Sequence, residues 1–321
     1  MSKVSLVVPC CNREKFISAT VKSVMLQDTP DWELILVDDG SKDNSWEIIC
    51  NLSQIDHRIK GFRKCNGGVS SARNYGFSKT TASAHYVMFL DSDDQLEPYA
   101  LTRLSRYLDT HLDVGLVGCQ LQDISADGRS FGARKRSRWA PGLIFPRELR
   151  DDEVETPFAT FFCATGQGPF AMFRRSVYLQ TEGWDESFWP HEDTDMFCQM
   201  ALLAKVHFLP ERLYLYRHHA AQVMKDGARV QRNYAVFRAK WDHRSPRSTH
   251  EACLLRDAKK YYYTMHKPCR ELKVARKALL EFFESPSLGR LRWFIGLCIS
   301  ALNGFIVKRF ASHYSARVDN L

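Results

Sequence analysis

The stretch Tyr86–Asp94, YVMFLDSDD, decides how this chain reads. Five apolar residues without a polar interruption suit a strand covered on both faces, and Asp91, Ser92, Asp93 and Asp94 crowd its C-terminal end. In an extended chain Asp91 and Asp93 point to the same side, roughly 7 Å apart at ~3.3 Å per residue, and Ser92 faces away. That span suits a divalent cation and a diphosphate. A solvated acidic turn would carry the same letters, so the surrounding sequence has to choose.

Working outward, the first 118 residues alternate two patterns. Apolar runs at Val4–Val8, Leu34–Val37, Ile59–Phe62 and Tyr86–Leu90 read as strands. Helical spacing appears over Glu14–Leu26, Asn44–Leu52, Ser70–Ser78 and Leu101–Leu108, and Val114–Cys119 continues as strand. Strands separated by helices of about ten residues imply parallel pairing with right-handed crossovers, hence an α/β fold with a mostly parallel, Rossmann-like sheet and helices on both faces. Ligands of such sheets sit outside the C-terminal strand ends. Those ends carry Pro9 to Asn12, Asp38 to Ser41 and Asp91 to Asp94, so the polar chemistry gathers on one rim.

Composition sets the outer bounds. At 321 residues the chain exceeds one ordinary domain, and we divide it into an α/β domain over residues 1–220 and a basic helical extension over 221–321. From residue 222 onward 20 Lys and Arg face 8 Asp and Glu, which leaves residues 1–221 mildly acidic within a net charge of +8. A basic tail can meet an anionic membrane surface or simply be solvated helix faces; no nucleic acid is expected as a partner. Ten cysteines show neither a C-x-x-C pair nor zinc spacing, as expected of reduced thiols in the cytoplasm. A strand pattern starting at Val4 leaves no space for a secretory leader.

Residues 123–168 lose the period and hold the basic run Arg134–Arg138, which reads as a mobile loop. Order resumes at Phe170–Leu179, Glu192–Leu203 reads as a helix, and Val206–Phe208 and Leu213–Tyr216 as short strands. Trp293–Val307 is fifteen residues without a charge between basic flanks, shorter than the roughly 20 of a membrane span. It suits an interfacial anchor on anionic lipid or a buried terminal helix.

Several stretches, taken together and in this order, resemble the family 2 glycosyltransferases of GT-A fold. They are VSLVVPCCNREKFI from Val4, LILVDDGSKDNS from Leu34, NGGVSSARNYG from Asn66, YVMFLDSDD, FRRSVYLQTEGWDE from Phe173, HEDTDMFCQMA from His191, and YRHH from Tyr216. The resemblance covers about residues 3–220 and implies a nucleotide-diphosphate sugar donor, a divalent metal and an acceptor hydroxyl.

The residues themselves suit those tasks. Pro9 and Asn12 end the first strand, where a rigid turn and an amide can line a base pocket. Asp38 and Asp39 before Gly40 can accept hydrogen bonds from base or ribose, though a turn capping the next helix would also use them. Two glycines ahead of a helix with Arg73 in its first turns suit diphosphate or base recognition. By the resemblance Asp39 is the base contact, Arg73 meets the nucleotide, Asp91 and Ser92 lie with the nucleotide sugar, and Asp93 is the direct metal ligand with Asp94 in reserve. The pattern Y-R-x-H selects His219 to complete the metal shell, with His218 beside it. An oxygen-rich site suits Mg2+ or Mn2+, and a histidine tilts it towards Mn2+.

His191 to Asp195 open a helix, where carboxylates gain from unsatisfied N–H groups. The resemblance makes Asp193 the general base and Glu192 an acceptor-binding or supporting residue. Trp184 and Trp189 flank the region and suit either stacking on an acceptor sugar or core packing. One base opposite a metal-held leaving group implies inversion at the anomeric carbon. We therefore expect transfer of a hexose or N-acetylhexosamine, from a UDP-sugar, to a saccharide or lipid-linked saccharide at the cytoplasmic side of a membrane, peripheral on its inner face.

Rivals fare worse. A dinucleotide oxidoreductase would need G-x-G-x-x-G after the first strand, where Pro9-Cys10-Cys11-Asn12 stands, and no P-loop motif occurs. A sugar nucleotidyltransferase would carry a Gly-rich basic loop at the same place. A non-catalytic nucleotide-sugar-binding module shares every motif, because resemblance does not prove turnover.

Overall fold

Every residue of β1 (Val4–Cys10) and of β2 (Trp32–Asp39) is buried, as expected of strands sandwiched between helical layers. The computed structural model describes residues 3–131, 171–187, 189–220, 227–242 and 244–245, all within one compact unit. The basic run Arg134–Arg138 and the apolar segment Trp293–Val307 lie outside the described residues.

Helices α1 (Ile17–Met25), α2 (Ser45–Ile55) and α3 (Val69–Ser78) alternate with β1, β2, β3 (Ile59–Lys64) and β4 (Tyr86–Phe89). Strand β5 (Gln95–Leu96), helix α4 (Ala100–Thr110), β6 (Val114–Ile124), β7 (Ala171–Arg174), helices α5 (Arg175–Tyr178) and α6 (Glu192–Leu203), β8 (Lys205–Arg217) and helix α7 (Gly227–Asp242) follow. Among the described residues eight strands form one sheet in the order β3-β2-β1-β4-β7-β6-β8-β5. The four strands joined by helical crossovers are parallel, and β8 is parallel to β6. Strand β7 runs against both neighbours, and β5 against β8. The alternation of patterns dictates direction only for the strands it connects, which is why these two reversals were not foreseen.

Two boundaries differ from expectation for visible reasons. Helix α1 begins at Ile17 rather than Glu14, because the Arg13 N–H donates to Ser45 Oγ and the Glu14 N–H to Asp43 Oδ2, which holds that turn in loop form. The two short strands expected after residue 205 are one strand, β8, whose pairing with β6 jumps from Leu209 to Arg212. Pro210 has no N–H to give the ladder, so a bulge falls there.

Helix α3 lies close against the sheet. A Cβ on Gly76 would come within 2.5 Å of Val7 Cγ1 and 2.9 Å of Val37 Cγ2. The absence of a side chain at Gly76 therefore sets the depth at which α3, and with it Arg73, sits over β1 and β2. Among the described residues no helix is long and apolar enough to cross a membrane.

Gly76→Val is expected to lower stability by about 2–3 kcal/mol through overpacking. That outweighs the gain of several tenths of a kcal/mol that Val has over Gly as a helix former. A drop in the urea midpoint with unchanged slope is the expected reading.

Candidate active site

The C-terminal ends of β1, β2 and β4 share one rim, and hydrogen bonds tie its loops together. The Asn12 N–H donates to Ser41 Oγ (2.9 Å), and Asn12 Oδ1 accepts the Lys42 N–H (2.8 Å). Asn12 stands in the left-handed region (φ 54°), which asparagine tolerates better than most residues. Pro9 is buried within β1. Asp38 is buried as well: its carboxylate accepts the Ser41 N–H (3.2 Å) and pairs with Arg63 at 2.9 Å, so it secures the turn from inside.

Asp39 is held from three directions. Its Oδ1 accepts from Lys64 Nζ (2.8 Å) and the Gly67 N–H (2.9 Å), and its Oδ2 from the Gly68 N–H (2.8 Å). Glycine suits the second of these positions, since Gly68 has φ 90°. The two glycine amides ahead of α3, in a segment that suits diphosphate or base recognition by sequence, thus hold a protein carboxylate.

Arg73 is the centre of the site. It is 2% exposed, its Nη2 donates to Asp91 Oδ1 (2.9 Å) and its Nη1 to Glu192 Oε1 (3.0 Å). Its guanidinium lies 4.3 Å from the ring centroid of Trp184. The group expected to meet the nucleotide is instead occupied by carboxylates from β4 and α6. Trp184 is correspondingly covered, by Arg73 on one side and by the edge of Phe89 at 4.8 Å, so it is a core residue rather than an open stacking face for a sugar. Trp189 has the Arg229 guanidinium 4.0 Å from its ring centroid.

Beyond Leu90 the acidic cluster fans out into different environments. Asp91 remains 32% exposed; loss of hydration and neighbouring Asp93 raise it above its ordinary value, against the pull of Arg73. Ser92 is buried, and its carbonyl accepts from Thr20 Oγ1 (3.0 Å). Asp93 Oδ2 accepts from Arg13 Nε and faces His219 Nε2, both at 2.9 Å. Burial alone would raise Asp93, but His219 and Arg13 hold it below the usual carboxylate range. Asp94, the reserve metal candidate, is committed elsewhere: it accepts from Tyr214 Oη (2.9 Å) and the Arg217 N–H (2.7 Å), and burial pushes it well up.

Of the two adjacent histidines, His219 turns to Asp93 and packs at a tilt against Phe16 with centroids 4.7 Å apart, while His218 Nε2 faces Asp123 Oδ1 at 2.8 Å. Among the described residues no three His, Cys, Asp or Glu side chains converge as a closed metal cage. The Asp93–His219 pair fits an ion that draws most of its coordination from phosphates and water, as Mg2+ and Mn2+ do.

Helix α6 brings Glu192 and Asp193 to the same rim. His191, with φ 93°, turns the chain into it, and Asp193 Oδ1 accepts the Thr194 N–H (2.7 Å). Glu192 is buried with Oε1 on Arg73, and its Oε2 has no hydrogen-bond partner among the described residues. Burial and then Asp193 push the Glu192 carboxyl up to about 7. Four contributors were not foreseen: Arg13, Lys64, Tyr214 and Arg217. Arg13 and Lys64 had a signal, since each stands at a strand end on the same rim.

The comparisons agree with this architecture. The family model described as Glycosyl transferase family 2 matches residues 5–179, and the chain belongs to that family. An uncharacterized glycosyltransferase of Nostoc, alr2836, is 31% identical over 68% of this chain and 66% of its own length. The GalNAc(5)-diNAcBac-PP-undecaprenol beta-1,3-glucosyltransferase of Campylobacter jejuni is 29% identical over 60% of this chain and 58% of its own. The chain therefore spans two thirds or less of these relatives. Among solved structures, S. aureus TarS 1-349 in complex with UDP-GlcNAc superposes with TM-score 0.63 at 18% identity, covering 95% of this chain and 80% of that one. The mannosyltransferase PcManGT of Pyrobaculum calidifontis, in complex with GDP-Man and Mn2+, gives 0.59 at 15%, covering 94% and 87%. The fold is GT-A.

A carboxyl raised from about 4.5 to about 7 on folding favours the folded state only while protonated, so its contribution declines as pH rises between those values and is constant above. Stability of Glu192→Gln relative to wild type should therefore improve from pH 5 to pH 8, by on the order of 2–3 kcal/mol at ~1.4 kcal/mol per unit. Urea titrations at both values check it; a pH-independent difference is the opposite result.

Proposed function

We propose that this protein is an inverting, divalent-metal-dependent glycosyltransferase that moves a hexose or N-acetylhexosamine from a nucleotide-diphosphate sugar, with UDP the preferred nucleotide, to a hydroxyl of a saccharide or lipid-linked saccharide. The observation that carries it is the single ionic chain Asp91–Arg73–Glu192, which links the acidic end of β4 to the residue beside Asp193. Family membership and the solved GT-A neighbours with nucleotide sugars support the reading.

In this mechanism Asp39, fixed by Lys64 and two glycine amides, accepts a hydrogen bond from the base or ribose. Asp93 and His219 would hold the ion, Mn2+ or Mg2+, whose charge would offset that of the diphosphate. Arg13, already on Asp93, adds positive charge at the same end. Asp193 takes the proton of the acceptor hydroxyl as its oxygen bonds to the anomeric carbon. The bond from that carbon to the phosphate oxygen breaks, and the nucleoside diphosphate leaves with the electron pair. Glu192, pushed up to about 7 and paired with Arg73, carries only part of a negative charge beside the base near neutral pH.

The relative that acts on an undecaprenol-linked glycan, together with the basic tail, supports a setting in surface-glycan assembly on the cytoplasmic face of a membrane. Full-length protein is expected to pellet with anionic vesicles at low salt and to release at high salt. No pelleting at low salt removes the membrane part.

The activity is tested by nucleotide release from a panel of UDP- and GDP-sugars with Mg2+ and Mn2+ in parallel. Asp193→Asn is expected to lower kcat by about 10²–10⁴-fold with nucleotide binding intact, and chelation to abolish turnover until metal is restored. Wild type that neither transfers nor hydrolyses any donor would leave a binding module as the better reading.

A further inference from the structure

Helix α7, which follows the transferase core, touches the base-bearing segment along one face. The Arg229 guanidinium lies over Trp189, and its Nε donates to the Trp189 carbonyl (3.2 Å). The Trp189 N–H donates to Asn233 Oδ1 (3.2 Å), and the Phe237 ring is 6.2 Å from that of His191. Lys240 Nζ donates to Asp185 Oδ2 (2.7 Å) and Asp195 Oδ2 (2.9 Å), while Trp241 Nε1 donates to Asp195 Oδ1 (2.8 Å). Positions 229, 233, 237 and 240–241 recur at helical spacing, so a single stripe of α7 runs from Trp189 to Asp195.

Asp195 is the focus of this contact. Its side chain is fully buried, and apart from Gln199 of its own helix (2.8 Å) its donors in these contacts come from α7. A buried carboxylate stays where its donors are, because leaving them unpaired is costly. Asp195 follows Asp193 by two residues, about 200° round α6, so the two side chains leave the helix on opposite sides. Fixing Asp195 from behind fixes the rotation and depth of the turn that presents Asp193.

We propose that Lys240 and Trp241 are positioning residues for the Asp193 turn, which makes α7 a working part of the acceptor half of the site. The inference rests on Asp193 acting as the base. Nothing in α7 contacts Asp39 or Asp93 among the described hydrogen bonds, so its effect falls on turnover rather than on nucleotide affinity. A displacement of about 1 Å at a reacting group can cost roughly 100-fold in rate.

The test uses the full chain and follows UDP release from UDP-glucose and UDP-GlcNAc with Mn2+ for wild type, Lys240→Met, Lys240→Arg, Trp241→Phe and Asp193→Asn. Hydrogen exchange is measured over residues 189–203 in parallel. Lys240→Met is expected to lower kcat by about 10- to 100-fold with donor KM within about twofold, and Lys240→Arg, which can still bridge both carboxylates, to recover most of it. Trp241→Phe keeps the ring and loses one hydrogen bond, so a smaller fall in kcat with unchanged donor KM supports the same conclusion without a folding defect. Amides of residues 191–195 should exchange faster in Lys240→Met. Unchanged kcat in both the Lys240→Met and Trp241→Phe variants beside an inactive Asp193→Asn overturns this inference and leaves the base assignment standing. An Asp193→Asn variant as active as wild type overturns the base, and the inference with it. The exchange arm needs no turnover: unaltered protection in Lys240→Met overturns the clamp by itself.

Discussion

A single buried guanidinium governs the arrangement of this site. Removing a cation such as Arg73 from water is expensive unless anions meet it closely, and removing one partner of such a pair typically costs about 3–5 kcal/mol. Here the partners are Asp91, at the end of β4, and Glu192, at the start of α6. Two elements 101 positions apart in the chain are therefore held at a fixed spacing by one planar group. Trp184 backs that group with its ring, and Gly76 lets the helix that carries it sit directly on the sheet.

The electrostatic consequences divide the rim into two halves. Around Asp93 the hydrogen bonds from His219 and Arg13 outweigh burial, and its carboxyl lies below the usual range. Around Glu192 burial and Asp193 dominate, and its carboxyl is pushed up to about 7. Carboxyls of the same type are driven apart by surroundings, one towards binding positive charge and the other towards holding a proton, which is the separation expected where different chemical roles share a cleft. Asp94 and Asp38 lie within the same clusters and are consumed by the frame: one anchors β8 and the other closes the turn after β2.

Much of this was legible in sequence, and the failures have physical causes. The strand ends that deliver Asp39, Asp91 and Asp93 could be read from apolar runs followed by polar clusters, because a buried parallel strand has no alternation to confuse. Helix α6 was read to the residue, since its acidic opening and apolar body both point to it. What spacing could not tell was which carboxylates face the cleft and which face the frame. Spacing suits Arg73 to the nucleotide and gives no sign of its burial, and it leaves Trp184 open to stacking or core packing until Arg73 is found on its ring. The choice between His218 and His219 depends on how the chain leaves β8, whose pairing with β6 ends at Arg217. The α7 contacts are long-range hydrogen bonds, ion pairs and ring contacts, to which no local periodicity corresponds.

The central proposal is that Arg73 sets one carboxylate base opposite one leaving diphosphate, which makes the transfer a single displacement. The stereochemistry of the first product reports on this directly. Proton NMR of the anomeric signal, recorded as transfer from an α-linked nucleotide sugar begins, should show a β-linked product, the outcome of a single displacement. An α-linked product formed at the outset would mean two displacements and would contradict the account.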